Sequence, residues 1–289
     1  MKFTCGTKEL SSACQTVARA AATRSSAPAL EGIKISAADG AVSLCGYNLE
    51  LGIRTSLAPE GTFQGGAVVL DAKMLCGIVK KLPDPLVDIS TDANGNATIS
   101  SGDARYEIVG MSASDYPEIP SVGESKQAEI PQPTLKDMIG QTAFAIDENN
   151  MSRPVFSGAL FNVSGGVLTT VGTDGYRLAI CKERIDCADN YDFVVPKNTL
   201  LEVAKLLEDD PDKSARITVG ASHAIFTIGA YTVFTRLLDG EFLDYQKVIP
   251  TNYTTSTKIS TKDFANSVGR VSIMVSDHLK SPIVCKFNH

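Results

Sequence analysis

Val69-Leu70-Asp71-Ala72-Lys73-Met74-Leu75-Cys76-Gly77-Ile78-Val79-Lys80-Lys81-Leu82 has a counterpart in Val194-Val195-Pro196-Lys197-Asn198-Thr199-Leu200-Leu201-Glu202-Val203-Ala204-Lys205-Leu206-Leu207. Each stretch begins as a strand end and continues with apolar residues three and four apart, the spacing of a helix with one buried face. The offset, from 69 to 194, is 125 residues. Leu10, Cys14 and Val17 recur at the same offset as Leu135, Ile139 and Thr142. A third set, Phe264, Val268 and Val271, follows 129 residues after the second, from 135 to 264. Thr7 and Thr261 stand where helix N-caps belong, and Pro133 takes the favoured first helical position.

The segments around these helices repeat as well. Asp115-Tyr116-Pro117-Glu118-Ile119-Pro120 resembles Asp244-Tyr245-Gln246-Lys247-Val248-Ile249-Pro250. Val42-Ser43-Leu44-Cys45-Gly46 parallels Leu168-Thr169-Thr170-Val171-Gly172. Val87 to Val109, with Asn94-Gly95 at its turn, predicts a hairpin and matches Arg216 to Arg236. Several elements in one order at nearly one offset indicate tandem copies of a fold, each the size of a complete domain. The expected class is α+β, each unit carrying two helices on antiparallel sheet. The units are placed at 1–124 and 125–252, and residues 1–122 and 127–251 are expected to superpose, with helices near 7–20, 72–82, 132–144 and 197–208. Residues 253–289 read as the opening of a third unit, whose last segment, Ile283 to Phe287, is expected to be a strand.

The chain has 289 residues and a net charge of −6, which argues weakly against a surface that simply coats nucleic acid. It does not exclude a local basic face. Seven scattered cysteines, none in a Cys-x-x-Cys pair, read as reduced core residues of a cytosolic protein. The opening MKFTCGTKEL has no apolar leader core, and no apolar run reaches membrane-span length. No phosphate-cradling Gly-x-x-x-x-Gly-Lys-Ser/Thr loop, His-Glu-x-x-His pair or Gly-x-Ser-x-Gly elbow occurs. His223, His278 and His289 lack ligand spacing, so neither metal nor cofactor is expected. Asp174-Gly175 could suggest an acid catalyst, but a turn after a strand explains it better.

Charge on the helices points elsewhere. In 72–82, Met74, Leu75, Ile78, Val79 and Leu82 form an apolar stripe, while Lys73, Gly77, Lys80 and Lys81 fall on the other face without an acidic residue. Such a face is ordinarily just solvated; repeated around one axis it would meet duplex phosphates without reading bases. Lys8, Arg19, Lys136, Lys197, Lys205, Lys262 and Arg270 lie on the other helices. There Glu9, Asp137, Glu202 and Asp263 mix the signal.

Met1-Lys2-Phe3-Thr4, Val171-Gly172-Thr173-Asp174-Gly175-Tyr176-Arg177-Leu178-Ala179 and Leu238-Asp239-Gly240-Glu241-Phe242-Leu243-Asp244-Tyr245 resemble the beta subunits of bacterial DNA polymerase III, the beta sliding clamps. The resemblance covers the whole chain, and Thr173 to Leu178 is its most diagnostic string. It implies three similarly folded clamp domains per subunit and two subunits in a closed ring around duplex DNA. It also implies a non-catalytic processivity role in the polymerase holoenzyme. The implied partners are the polymerase III alpha subunit, the clamp loader, and other polymerases and repair proteins with clamp-binding motifs. The implied peptide cleft comprises Phe156, Thr173, Gly175, Tyr176, Arg177, Leu178, Leu243, Lys247 and Val248. Arg24, Asn150 and Arg153 are the implied loop contacts to duplex, joining Lys73, Lys80, Lys81, Lys197 and Lys205 on the helices. Leu243 and Lys247 stand where many relatives carry Pro and Arg, and lysine loses planar bidentate donation. A complete third unit would need roughly 75–80 more residues by the repeat offset. A full-length chain is expected to be a homodimer. This one is expected to be monomeric, unable to close the ring, its tail mobile or docked on another molecule. The alternatives are a monomeric peptide-docking module keeping only the second unit's surface, and an enzyme with an unrecognised site.

Overall fold

The computed structural model describes residues 1–148, 153–275 and 283–286. The chain divides into two compact bodies, 1–243 and 244–289.

The first body is built from two copies of one topology. The first copy runs β1 (Lys2–Gly6), α1 (Thr7–Val17), β2 (Gly32–Ala38), β3 (Ala41–Tyr47), β4 (Leu51–Leu57), β5 (Phe63–Gln64), β6 (Gly66–Asp71), α2 (Ala72–Val79), β7 (Leu86–Thr91), β8 (Ala97–Ser101) and β9 (Ala104–Ile108). The second runs β10 (Lys126–Pro131), α3 (Gln132–Ala143), β11 (Gly158–Ser164), β12 (Val167–Thr173), β13 (Leu178–Arg184), β14 (Tyr191–Pro196), α4 (Lys197–Leu206), β15 (Ser214–Val219), β16 (His223–Ile228) and β17 (Tyr231–Arg236). Strand order β1-β7-β8-β9 reappears as β10-β15-β16-β17, and β6-β2-β3-β4 as β14-β11-β12-β13. Only β5 lacks a counterpart among the described strands. The α+β class and the helix–strand–helix–strand order are those expected from the repeat.

The copies share a sheet. Edge strands β4 and β17 pair antiparallel, with Ile53 opposite Val233 and Gly52 opposite Phe234, which joins two half-sheets into eight strands. Gly52 is required there, because a Cβ would enter the Phe234 ring. Helices α1 and α3 bury the same periodic face, Leu10, Ala13, Cys14 and Val17 in one and Leu135, Met138, Ile139 and Thr142 in the other. Each packs on its sheet and on its partner helix, α1 with α2 and α3 with α4. One contiguous apolar core, from Phe3 to Leu237, runs through both copies. A fully buried Leu or Phe in it contributes about 1.5–3 kcal/mol.

Local details differ from the sequence expectation. The residue before α1 is Gly6, and Thr7 is the first, buried, helical residue. In α3, Gln132 is first and Pro133 second. Helix α1 ends at Val17 and tightens into a short turn, Ala18–Ala20. Helix α2 stops at Val79, so Leu82 lies outside it, next to Pro83, whose ring disfavours helical backbone at the residue before it. Met74 is 53% exposed, off the stripe formed by Ala72, Leu75 and Val79. Of the cysteines, Cys5, Cys14, Cys45 and Cys181 are buried, Cys76 and Cys187 partly so, and Cys285 is exposed; all are free. Burial pushes the Cys5 thiol up to about 12 and Cys45 to about 11.

The second body contains α5 (Tyr245–Val248) and α6 (Thr261–Ser272). Ser260, not Thr261, caps α6, its Oγ accepting the Asp263 N–H at 3.4 Å. No α6 residue is buried, and Phe264 is 40% exposed. Residues 283–286 form no strand, and Phe287 lies outside the described residues. No helix among the described residues is long and apolar enough to cross a membrane.

Candidate nucleic-acid and peptide surfaces

Helix α2 begins where the Asp71 carboxylate accepts the Met74 N–H at 2.7 Å. That cap, and burial of Leu75 and Val79, fix the opposite face outward, so Lys73 is exposed, as are Lys80 and Lys81 in the turn that follows the helix. Lys80 lines a groove of about 470 Å³ between α1 and α2 together with Lys8 and Arg19. Lys73 borders a cavity of about 370 Å³ with Thr23, next in sequence to the exposed Arg24. No carboxylate lies within ion-pair distance of Lys73, Lys80 or Lys81 among the described residues.

The second copy handles its cations differently. Lys197 is half-buried, 2.6 Å from Glu148, and also donates to the Ile146 carbonyl at 3.3 Å. Lys205 pairs with Glu202 at 2.6 Å. The other Glu202 oxygen accepts Arg19 Nε at 2.7 Å, so this carboxylate bridges helix α4 to the Arg19 turn of the first copy. Charge alone could not reveal that bridge, whose partners are 183 residues apart. Arg153 is exposed and stacks over the Phe156 ring at 5.8 Å. Asn150 lies outside the described residues.

The turn between β12 and β13 is built by Asp174. Its Oδ1 accepts the Tyr176 and Arg177 N–H groups at 3.0 and 2.9 Å. Those backbone donors, Arg177 first, hold the Asp174 carboxyl below its ordinary value. Asp174-Gly175 is thus the turn expected from its residue types, with Gly175 at φ +86°. Thr173 Oγ1 donates to the Arg177 carbonyl at 2.8 Å and accepts the Gly175 N–H at 3.1 Å. Arg177 is held by Asp174 Oδ2 and the Phe144 carbonyl, both at 2.9 Å, and lies over the Phe144 ring. This leaves Tyr176 almost wholly exposed, at 99%, and Leu178 half-buried at the head of β13. Phe156 is buried edge-on against Phe242, beside the half-buried Leu243. In the second body, Lys247 and Val248 are exposed on α5, where the Lys247 ammonium, 2.8 Å away, holds the Asp244 carboxyl low.

Comparison with known proteins gives consistent matches. The N-terminal domain family of the DNA polymerase III beta subunit matches residues 1–120, and its central domain family matches 129–244. The beta sliding clamp of Bacillus subtilis strain 168 is 32% identical over 286 residues, covering 96% of this chain and 75% of that protein. That of Halalkalibacterium halodurans is 32% identical over 279 residues, covering 93% and 73%. The crystal structure of the Bacillus subtilis DNA polymerase sliding clamp superposes with a TM-score of 0.91, at 32% identity over 96% of this chain and 75% of that one. A DnaN sliding clamp from Pseudomonas aeruginosa, solved bound to griselimycin, gives 0.87 at 28% identity over 94% and 74%.

Proposed function

The chain belongs to the DNA polymerase III beta subunit family, the bacterial sliding clamps, and from that premise we propose how its surfaces divide the work. Its function is that of a DNA sliding clamp, a processivity factor that encircles duplex and tethers the replicative polymerase. It makes and breaks no bond itself and works in the cytoplasm. Units 1–124 and 125–252 are clamp domains, and 253–289 opens a third.

Duplex DNA is held by Lys73, Lys80 and Lys81 with Arg24, and by Asn150, Arg153, Lys197 and Lys205. The observation that carries this reading is the exposed Lys73 of α2 with Lys80 and Lys81 just after it, none paired with a carboxylate among the described residues, beside a groove shared by Lys8, Arg19 and Lys80. Contacts of this kind bind phosphate without base readout, as a sliding protein requires. Short linear segments of polymerases, the clamp loader and repair proteins dock on the Thr173–Leu178 turn with Phe156 and Leu243. On the second body, Lys247 and Val248 also contact such segments. Apolar anchors and a cationic rim suit an extended peptide.

The DNA assignment is tested by placing the photocrosslinker p-benzoylphenylalanine at Lys80, at Lys81 and, as control, at Tyr106 on β9. Irradiation with mixed-sequence duplex is expected to crosslink Lys80 and Lys81 and spare the control. Crosslinking equal to the control at both lysine positions would overturn the assignment.

A further inference from the structure

Among the described residues only two other than glycine have a left-handed backbone, Asp39 at φ +50° and Leu49 at φ +77°. Asp39 precedes Gly40 in a tight turn, a place aspartate tolerates. Leu49 has no such excuse. A Cβ is disfavoured at that φ, and a leucine that is 52% exposed recovers little by burial.

The conformation is nonetheless locked from every side. Asn48 Oδ1 accepts the Glu50 and Leu51 N–H groups at 3.0 and 2.8 Å. The Asn48 N–H donates to the Leu51 carbonyl at 3.1 Å. The Tyr47 hydroxyl donates to the Leu49 carbonyl at 3.2 Å, and the Arg236 N–H, from the second copy, to the Glu50 carbonyl at 2.9 Å. This turn is the counterpart of the Asp174 turn. Asn48 does what Asp174 does, accepting N–H groups two and three residues on, and Leu49 occupies the place of Gly175. One copy carries the residue that fits the backbone, and the other carries an apolar side chain the backbone resists.

Leu49 rims a cavity of about 690 Å³ at the seam between the copies, walled by Pro154, Pro196 and Leu238. Its charged lining is Glu50, Glu148 and Asp239 with Lys197 and Arg236. Lys197 is occupied by Glu148 at 2.6 Å, whereas Arg236 is 64% exposed and the one carboxylate within ion-pair reach of it among the described residues, Asp239, stands 3.9 Å away. The guanidinium is therefore open to a better-placed carboxylate, in a space of the size that ligand sites occupy.

We propose that Leu49, Leu238 and Arg236 form a second docking site, at the seam between the two copies, for an extended partner segment bearing an apolar side chain beside a carboxylate. That the occupant is a peptide rests on the docking role proposed for the Thr173–Leu178 turn.

The test uses the full chain with methyl-labelled leucine, titrated to millimolar concentration with the peptide acetyl-Gly-Leu-Phe-Asp-amide. The Leu49 and Leu238 methyl signals are expected to move together and saturate. Arg236→Gln, and Asn in place of the peptide's Asp, should each weaken binding about fivefold. Leu49→Gly should raise the thermal midpoint while weakening binding, a pair of opposite signs that a structural leucine would not give. Leu178→Ala should leave these two signals' titration unchanged, which separates this site from the other turn. Unmoved Leu49 and Leu238 signals would overturn the proposal, as would movement at Leu178 alone. So would a lower midpoint with unchanged binding in Leu49→Gly, or self-association that shifts the same methyls without peptide.

Discussion

Gly46 and Gly172 show how the repeat is enforced one residue at a time. A Cβ at Gly46 would strike the Val17 carbonyl, and one at Gly172 the Thr142 carbonyl, the matching residue of the second copy's helix. Both obstacles are backbone, so Gly172→Ala should cost about 1–3 kcal/mol in urea unfolding; an unchanged midpoint would mean that the end of α3 moves freely. The cysteines give a second check. Cys5, Cys14 and Cys45 are buried with thiols pushed up by desolvation, so a thiol-reactive dye should reach Cys285 at once and those three only after unfolding. Rapid labelling of all of them in the folded chain would contradict the core described above. Some of this was legible in the sequence. Asp174-Gly175 reads as a turn because both residue types favour one. Leu49 does not, since leucine carries no turn signal and its backbone is set by partners as distant as Arg236.

Helices were legible from spacing because a buried face leaves its period in the chain. Leu10, Cys14 and Val17 lie on the buried face of α1, as Leu135, Ile139 and Thr142 do on α3. Ends were less legible: α2 stops at Val79 under the influence of Pro83, and Met74 falls off the stripe once the register is set by Asp71. The pairing of β4 with β17 left no local trace, because alternation tells which face a strand buries and not which strand lies beside it. That seam packs Phe234, only 1% exposed, against the Tyr47 ring, 5.2 Å between centroids. Phe234→Ala should destabilise by about 3–5 kcal/mol and speed amide exchange in β4 as well as β17. Faster exchange confined to the second copy would show that the two half-sheets are not coupled.

Over the whole chain, the 125-residue offset made the tandem organisation plain, whereas net charge says nothing of where the charges lie. A total of −6 conceals three exposed lysines on and just after α2, with no carboxylate in ion-pair reach among the described residues. Counting cations also hid the difference between copies, because Lys197 and Lys205 already hold carboxylates. Phosphate must displace those partners before it gains either lysine, and Lys73, Lys80 and Lys81 should therefore supply most of the salt-sensitive contact. The measurement that bears most directly on this account is the affinity of the chain for two duplexes of unrelated sequence across a salt series. It would be made for the wild-type chain and for Lys73→Gln, Lys80→Gln and Lys81→Gln combined. Equal affinity for the two duplexes is expected, and a log–log salt slope smaller in magnitude by roughly 2–3 in the triple variant. An unchanged slope, or preference for one duplex, would contradict it.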